Sequence, residues 1–454
     1  MTPPAAPAAP AAWSAAVRLA ARLARSPDAR ALLALTAVCA AFFAPVLSGR
    51  YFLPRGGGDL ASFLWPMYRF IAARLAAGDI PLWNPHQYAG APLLADNQSG
   101  MLYPPFVAFW LLKPAFSYVD LERVVMGHTL FTGAAMYACL RCWGRGGNGG
   151  RGEREAGVGG DAGDGAVAGH GRGDGTGGAR CFAPTAALVG AVAWMLNDVF
   201  ITHLGNLNFN AAAGWLPLAV LGLHRACERP MGAEGRVGLR PAPTPHPGTG
   251  HMLAARLGLT SVATACLALG AVALGFGALA GHAQATFLCA AAVAAYALWR
   301  AAVGRDPWPL AALAIIGAFA FALAAPALLP ALALRSSTVR ATYDYATSVQ
   351  YSLPPRALVG LVAPWWWGRG AAAFHGGWDR VEVGYVGVAP FVLAVVASAA
   401  SARSAWRRRR AGMAGDRRSG EGGDRRVGGG RTRWSAPTGT GTSRSSVGWP
   451  SLAC

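Results

Sequence analysis

What most constrains this chain is the recurrence of long stretches without a charged side chain. Residues 31–48 and 257–280 contain no Asp, Glu, Lys or Arg. A run of 18 or more apolar residues is long enough to carry a helix through hydrocarbon, where every backbone amide must find its partner within the segment. One such run near an N-terminus is compatible with a cleaved leader, but several are not. The first is followed by Arg50 and Tyr51 rather than by a small-residue cleavage site, and is read as retained. Composition agrees. Of 454 residues, 54% are hydrophobic and 13% charged, against the charged share of about 25% usual in a soluble domain.

The formal net charge of +19 raises the question of nucleic acid. Its placement answers it. Arg407 to Arg410, Arg417, Arg418, Arg425 and Arg426 lie in the C-terminal tail, and other arginines flank apolar runs. That distribution is a topology signal, whereas a nucleic-acid reader clusters charge on one folded face. The eight cysteines show no metal-ligand spacing. Cys139 and Cys142 form a lone C-x-x-C, while Cys39, Cys266 and Cys289 sit inside apolar runs as small hydrophobes.

Length and arginine placement together give an all-α integral membrane bundle of about eight spans, with both termini cytoplasmic. The spans fall at 31–48, 124–140, 183–204, 210–223, 257–280, 285–299, 308–334 and 383–401. Residues 1–30 form a cytoplasmic tail, 141–180 a Gly-rich cytoplasmic loop, and 402–454 a disordered basic cytoplasmic tail. Two large segments, 49–122 and 335–382, lie outside. Within the first, 61–75 reads as an amphipathic surface helix, and 101–112 as an interfacial or re-entrant piece.

Polar residues that break the apolar pattern collect in these outer segments. The first contains Gly-Asp-Ile-Pro-Leu-Trp-Asn-Pro at 78–85, Gly-Ala-Pro-Leu at 90–93 and Tyr-Pro-Pro at 103–105. Later come Gly-His-Ala-Gln at 281–284, Ser-Leu-Pro-Pro-Arg at 352–356, the Pro364-Trp365 step and Glu-Val-Gly-Tyr-Val-Gly at 382–387. Each motif alone is weak; the ordered set resembles the YfhO group of bacterial inner-membrane proteins across residues 31–401. That group is similar to the GT-C glycosyltransferases. The resemblance implies transfer of a sugar from a polyprenyl-phosphate carrier to an acceptor outside the cytoplasm, either a cell-wall polymer or a glycolipid. It also implies an acidic catalytic residue in the first outer loop, which maps onto Asp59. Relatives of that group are longer, so the chain is expected to carry their N-terminal half, and the Gly-rich segment 141–180 is a departure from their pattern.

Chemistry and resemblance together give a candidate site. Asp59 is a general base or a carboxylate holding a divalent cation; the residues alone favour a helix N-cap, since Asp follows three glycines and precedes an apolar run. Asp96, Asn84, His86, Tyr103, His282 and Gln284 are candidates for substrate binding. Arg335 and Arg340 have the fork geometry suited to a lipid phosphate, against the plainer reading of side chains snorkelling at a helix end. A polytopic transporter or lipid flippase is the rival reading, and a non-catalytic or degenerate membrane protein a third. The transporter predicts ionisable residues at mid-membrane and internal repeats, neither of which the sequence displays.

Overall fold

The computed structural model describes residues 26–53, 59–143, 182–228, 261–349, 352–368, 375 and 385–421. Most of the described residues are helical. Among the described residues the one sheet is a two-stranded hairpin, β1 (Trp83–Asn84) against β2 (Ala91–Pro92).

The first helix, α1 (Pro27–Phe42), is capped by the Ser26 hydroxyl, which accepts from the Ala29 amide. Pro45 ends it: a proline there withdraws a helix hydrogen bond and crowds the preceding turn, so only a short turn, Ala44–Leu47, follows. A π-helical turn, Leu60–Leu64, then leads into α2 (Trp65–Ala76). The amphipathic segment expected at 61–75 is therefore present, and Met67, Tyr68, Ile71 and Ala72 bury its apolar face inside the protein. Next come α3 (Pro104–Leu112) and the long α4 (Tyr118–Trp143). After residues 144–181 follow α5 (Pro184–Met195), α6 (Asp198–Thr202), α7 (Leu207–Ala213) and α8 (Leu216–Cys227). The remaining helices are α9 (Ser261–Leu279), α10 (Ala283–Gly304), α11 (Trp308–Arg335) and α12 (Val388–Glu421).

Among the described residues, four helical stretches are long and apolar enough to cross a membrane: Pro184–Thr202, Val262–Leu279, Ala283–Gly304 and Trp308–Arg335. The expected eight are not found, for local reasons. At 16 residues, α1 spans about 24 Å, short of the roughly 30 Å of hydrocarbon. In α4 the apolar run is diluted by His128, Thr129, Thr132 and Tyr137. The stretch 210–223 breaks at Gly214 into α7 and the 12-residue α8. The apolar part of α12, Val388–Ser404, is likewise short. That helix also runs on to Glu421, where disorder from 402 onward was expected.

The described residues up to Phe391 form one compact unit, and those from Val392 onward a second. In the first unit α8 packs on α9, α9 on α11, and α4 on α5. The α8–α9 contact is backbone to backbone: a Cβ on Gly222 would lie 2.5 Å from the Gly270 amide. Small residues permit such approach where helices cannot gain from expelling water between them. One end of this unit is closed by an aromatic and ionic cluster. His224 stacks on Trp143 at 4.0 Å, its Nδ1 lies 2.6 Å from the Tyr296 hydroxyl, and Arg225 pairs with Glu228 at 2.6 Å. The turns at 203–206 and 280–282, the loop 77–103 and the end of α11 gather at the other end.

Candidate functional site

The site is built on a contact between two turns. Gly281 adopts φ +93°, and a Cβ there would sit 2.4 Å from the Asn97 carbonyl oxygen and 2.7 Å from Asn208 Nδ2. Only glycine fits both the backbone angle and the space. Asn208, 2% exposed, joins the pieces. Its Nδ2 donates to the carbonyls of Gln98 (2.7 Å) and Ala280 (2.9 Å), and its Oδ1 accepts from the Tyr68 hydroxyl (3.2 Å). One buried amide thus ties α2, the 96–100 loop and the end of α9 together.

Beside this junction lies a cavity of about 710 Å³. Asp96, Asn97 and Gln98 form one wall, His282 and Gln284 at the start of α10 another, and Leu328, Ala331, Leu332 and Arg335 of α11 a third. Thus Asp96, His282, Gln284 and Arg335, chosen from sequence, meet in one place. Pro326 and Pro330 lie inside α11, where each removes a backbone hydrogen bond next to this wall. Tyr88 also lines the cavity. It and Ala89 hold positive φ (51° and 58°) in the hairpin turn.

Asp59 is not among the residues that line this cavity, but the crevice it borders shares Phe63 and Gln98 with it. That crevice is small and is also lined by Leu64, Asn206 and Asn208, and the Asp59 carboxylate acts electrostatically on His282. It makes no side-chain cap hydrogen bond, so the helix-cap role favoured by the residues alone is not the one it fills. Asp96 does cap: its Oδ1 accepts from the Gln98 amide at 3.0 Å. Burial raises the Asp96 carboxyl above the ordinary range, with that backbone bond opposing the shift.

The other candidates sit elsewhere. Asn84 is buried in the hairpin turn, where its Nδ2 donates to Gln87 Oε1 (2.8 Å) and its Oδ1 accepts from the His86 amide (3.0 Å). Both polar ends are spent on the turn, as Asn commonly does there. His86 is exposed and meets the edge of Phe70. Tyr103 belongs to the core: it is 1% exposed, its hydroxyl accepts from the Trp215 indole (3.0 Å), and its ring meets Phe106 at 4.8 Å. Arg340 falls in the 3₁₀ turn Val339–Thr342, and its side chain lies outside the described residues, as do residues 54–58.

Sequence reasoning passed over Asn208 and His203. The signal for the first was present in the spacing Asn206-x-Asn208-x-Asn210, three amides in an otherwise apolar stretch, where each must find a partner when buried. His203 is stacked on Phe209 at 4.3 Å and its Nδ1 lies 2.7 Å from the Val199 carbonyl. No group of three His, Cys, Asp or Glu among the described residues converges as a metal-binding set. Searches against family models, curated proteins and solved structures find no match to the chain.

Proposed function

We propose that the chain is a membrane-embedded glycosyltransferase that moves a sugar from a polyprenyl-phosphate carrier to an acceptor outside the cytoplasm. The observation that carries this reading is the two-sided lining of the large cavity. The apolar end of α11 supplies Leu328, Ala331 and Leu332, and the facing loops supply Asp96, Gln98, His282 and Gln284, with Arg335 at the α11 terminus. A ligand filling both sides is amphipathic, with an isoprenoid or acyl stem against α11 and a polar head against the loops. The resemblance of the ordered motifs to the YfhO group supports the same substrate class.

In this reading Arg335 pairs with the carrier phosphate and the Asp96 side chain accepts from sugar hydroxyls. The acceptor hydroxyl attacks the anomeric carbon, Asp59 takes its proton, and the bond from that carbon to the phosphate oxygen breaks. The carrier leaves as a polyprenyl phosphate with the electron pair. The loop end of the bundle faces the extracytoplasmic side of the bacterial inner membrane. Membranes containing the protein should transfer label from a polyprenyl-phosphate sugar, and Asp59→Asn should abolish transfer while leaving expression unchanged. Wild-type transfer by that variant removes Asp59 from the role. Movement of the carrier between leaflets without transfer would instead identify a flippase.

A further inference from the structure

We propose that His282, its Nδ1 committed to the cap of α10, serves the cavity as a hydrogen-bond donor, giving its Nε2–H to a phosphate oxygen of the bound lipid carrier. The proposal rests on the lipid-phosphate reading above and assigns a role that reading leaves open.

The argument begins with the helix cap. Gly281, at φ +93°, turns the chain so that His282 becomes the N-cap of α10, with extended backbone angles of −127° and 92°. Its Nδ1 accepts from the Ala285 amide at 3.1 Å, the third residue of the helix, which is the donor an N-cap side chain normally satisfies. An amide can only donate, so Nδ1 must be bare, and a neutral ring then carries its proton on Nε2. His282 lines the cavity. With Nδ1 committed to the helix, Nε2–H is the polar atom it can offer there. The ring is also held in place: Phe209 meets it edge-on at 5.2 Å and is itself stacked on His203.

Protonating His282 would set an Nδ1–H against the Ala285 amide, break the cap, and place a cation at the positive end of a 22-residue helix. The surroundings act in the same direction. Burial lowers its affinity for a proton and His203, at the end of α6, adds to that; a backbone hydrogen bond and the Asp59 carboxylate, at the head of the π-turn, oppose it. The other charged groups on the same cavity are Asp96, from the loop, and Arg335, from α11. A ring in this state cannot act as a base, because its one lone pair is occupied. It is a donor only, on the same wall as Gln284 and in the same cavity as Arg335, where an anionic oxygen is best held.

The test uses the full chain in nanodiscs with ¹⁵N-labelled histidine, and the His282 signals are assigned by difference from His282→Asn. Wild type should show a neutral Nε2–H ring at pH 7, and adding farnesyl phosphate should shift that Nε2 signal. Asparagine also caps helices, so His282→Asn should keep the thermal stability of wild type yet bind farnesyl phosphate on the order of tenfold more weakly. A protonated ring, an Nδ1–H ring, unchanged affinity in the asparagine variant, or no shift with farnesyl phosphate would each overturn the proposal. Farnesyl phosphate binding through Nε2, by a protein that transfers no sugar from its farnesyl-phosphate conjugate, would uphold it while refuting the transferase reading.

Discussion

Replacing Gly281 with alanine probes the closest contact in the site, and a second glycine supplies the control. Gly281 and Gly78 both have positive φ, +93° and +79°. An L-residue in left-handed backbone costs about 1–2 kcal/mol, a penalty both alanine variants share. Around Gly78 a Cβ meets nothing within 4 Å, whereas at Gly281 it meets the Asn97 carbonyl at 2.4 Å, Asn208 Nδ2 at 2.7 Å and the Gly100 amide at 3.0 Å. Two of these are backbone atoms in a loop pinned from behind, so the collision is relieved only by parting the turn from the loop. Overpacking of that kind adds about 1–3 kcal/mol. Gly281→Ala should therefore be destabilised by about 2–5 kcal/mol and Gly78→Ala by about 1–2 kcal/mol. Thermal unfolding in detergent measures both. With an unfolding entropy of about 2.1 cal/mol/K per residue, a chain of 454 residues shifts by roughly 1 °C per kcal/mol, so the excess at Gly281 is a gap of about 1–3 °C. Equal melting temperatures for the two variants would mean that the 280–282 turn and the 97–100 loop do not touch, and the cavity between them would lose its frame.

Three further outcomes follow from the hydrogen bonds and charges described. Asn208→Ala strips partners from the Tyr68 hydroxyl and from the Gln98 and Ala280 carbonyls; it should lower stability by about 2–4 kcal/mol, and a melting temperature within a degree of wild type would refute the bridging role. Asp120 is 6% exposed; its Oδ1 pairs with Lys113 (2.7 Å) and Arg123 (2.9 Å), and its Oδ2 accepts from the Ser117 amide and hydroxyl (both 2.8 Å). The Lys113 and Ser117 hydrogen bonds hold its carboxyl well below the usual range, so its contribution is complete above the unfolded value near 4 and fades as pH falls through the folded one. Asp120→Asn should thus be destabilising by a constant amount between pH 5 and 8, with the gap closing in acid, as read from melting curves across a pH series. Asp96 carries the opposite shift, upward, so ionising it opposes folding above its raised value and the penalty vanishes in acid. Since asparagine can still cap the Gln98 amide, Asp96→Asn should melt at or above wild type at pH 7 and converge with it near pH 4; a lower melting temperature at neutral pH would refute the desolvation argument.

The sequence made the long helices legible and left their interruptions obscure. The charge-free run at 308–334 corresponds almost residue for residue to Trp308–Arg335, and the turn expected at 281–284 is where α9 gives way to α10. Hydropathy averages over a window, so it passes smoothly across Pro45, Gly214 and the Leu196-Asn197 step, each of which stops a helix through backbone geometry. The site was legible in the same uneven way. Asp96, His282, Gln284 and Arg335 come from three segments far apart in the chain, and they were grouped by the side of the bundle they were expected to occupy. Asn84 and His86 looked equivalent to them in composition. What separates them is the hairpin, whose turn uses both polar ends of Asn84 and turns His86 outward. Tyr103 was lost to the core because an indole 112 residues away supplies the partner its buried hydroxyl needs, a pairing that no local pattern encodes.

Asn208 explains how such scattered residues are brought to one end of the bundle. Asp59 precedes the π-turn that leads into α2, and Tyr68 lies one helical segment further along the same continuous stretch. His282 follows Ala280 by two residues, and Asp96 precedes Gln98 by two. The Asn208 side chain bonds to Tyr68, Ala280 and Gln98, so each of the three polar candidates is anchored a short, stiff distance from the same amide. A primary amide suits this position for a physical reason: it offers two donors and an acceptor in one plane, and no other uncharged side chain except glutamine can serve two carbonyls and a hydroxyl at once. Glutamine would push the amide one methylene further from α7, into a gap where Gly281 already leaves no room for a Cβ. The glycine and the asparagine therefore constrain one another. Together they fix how the segments carrying Asp59, Asp96 and His282 are held against one another at this end of the bundle.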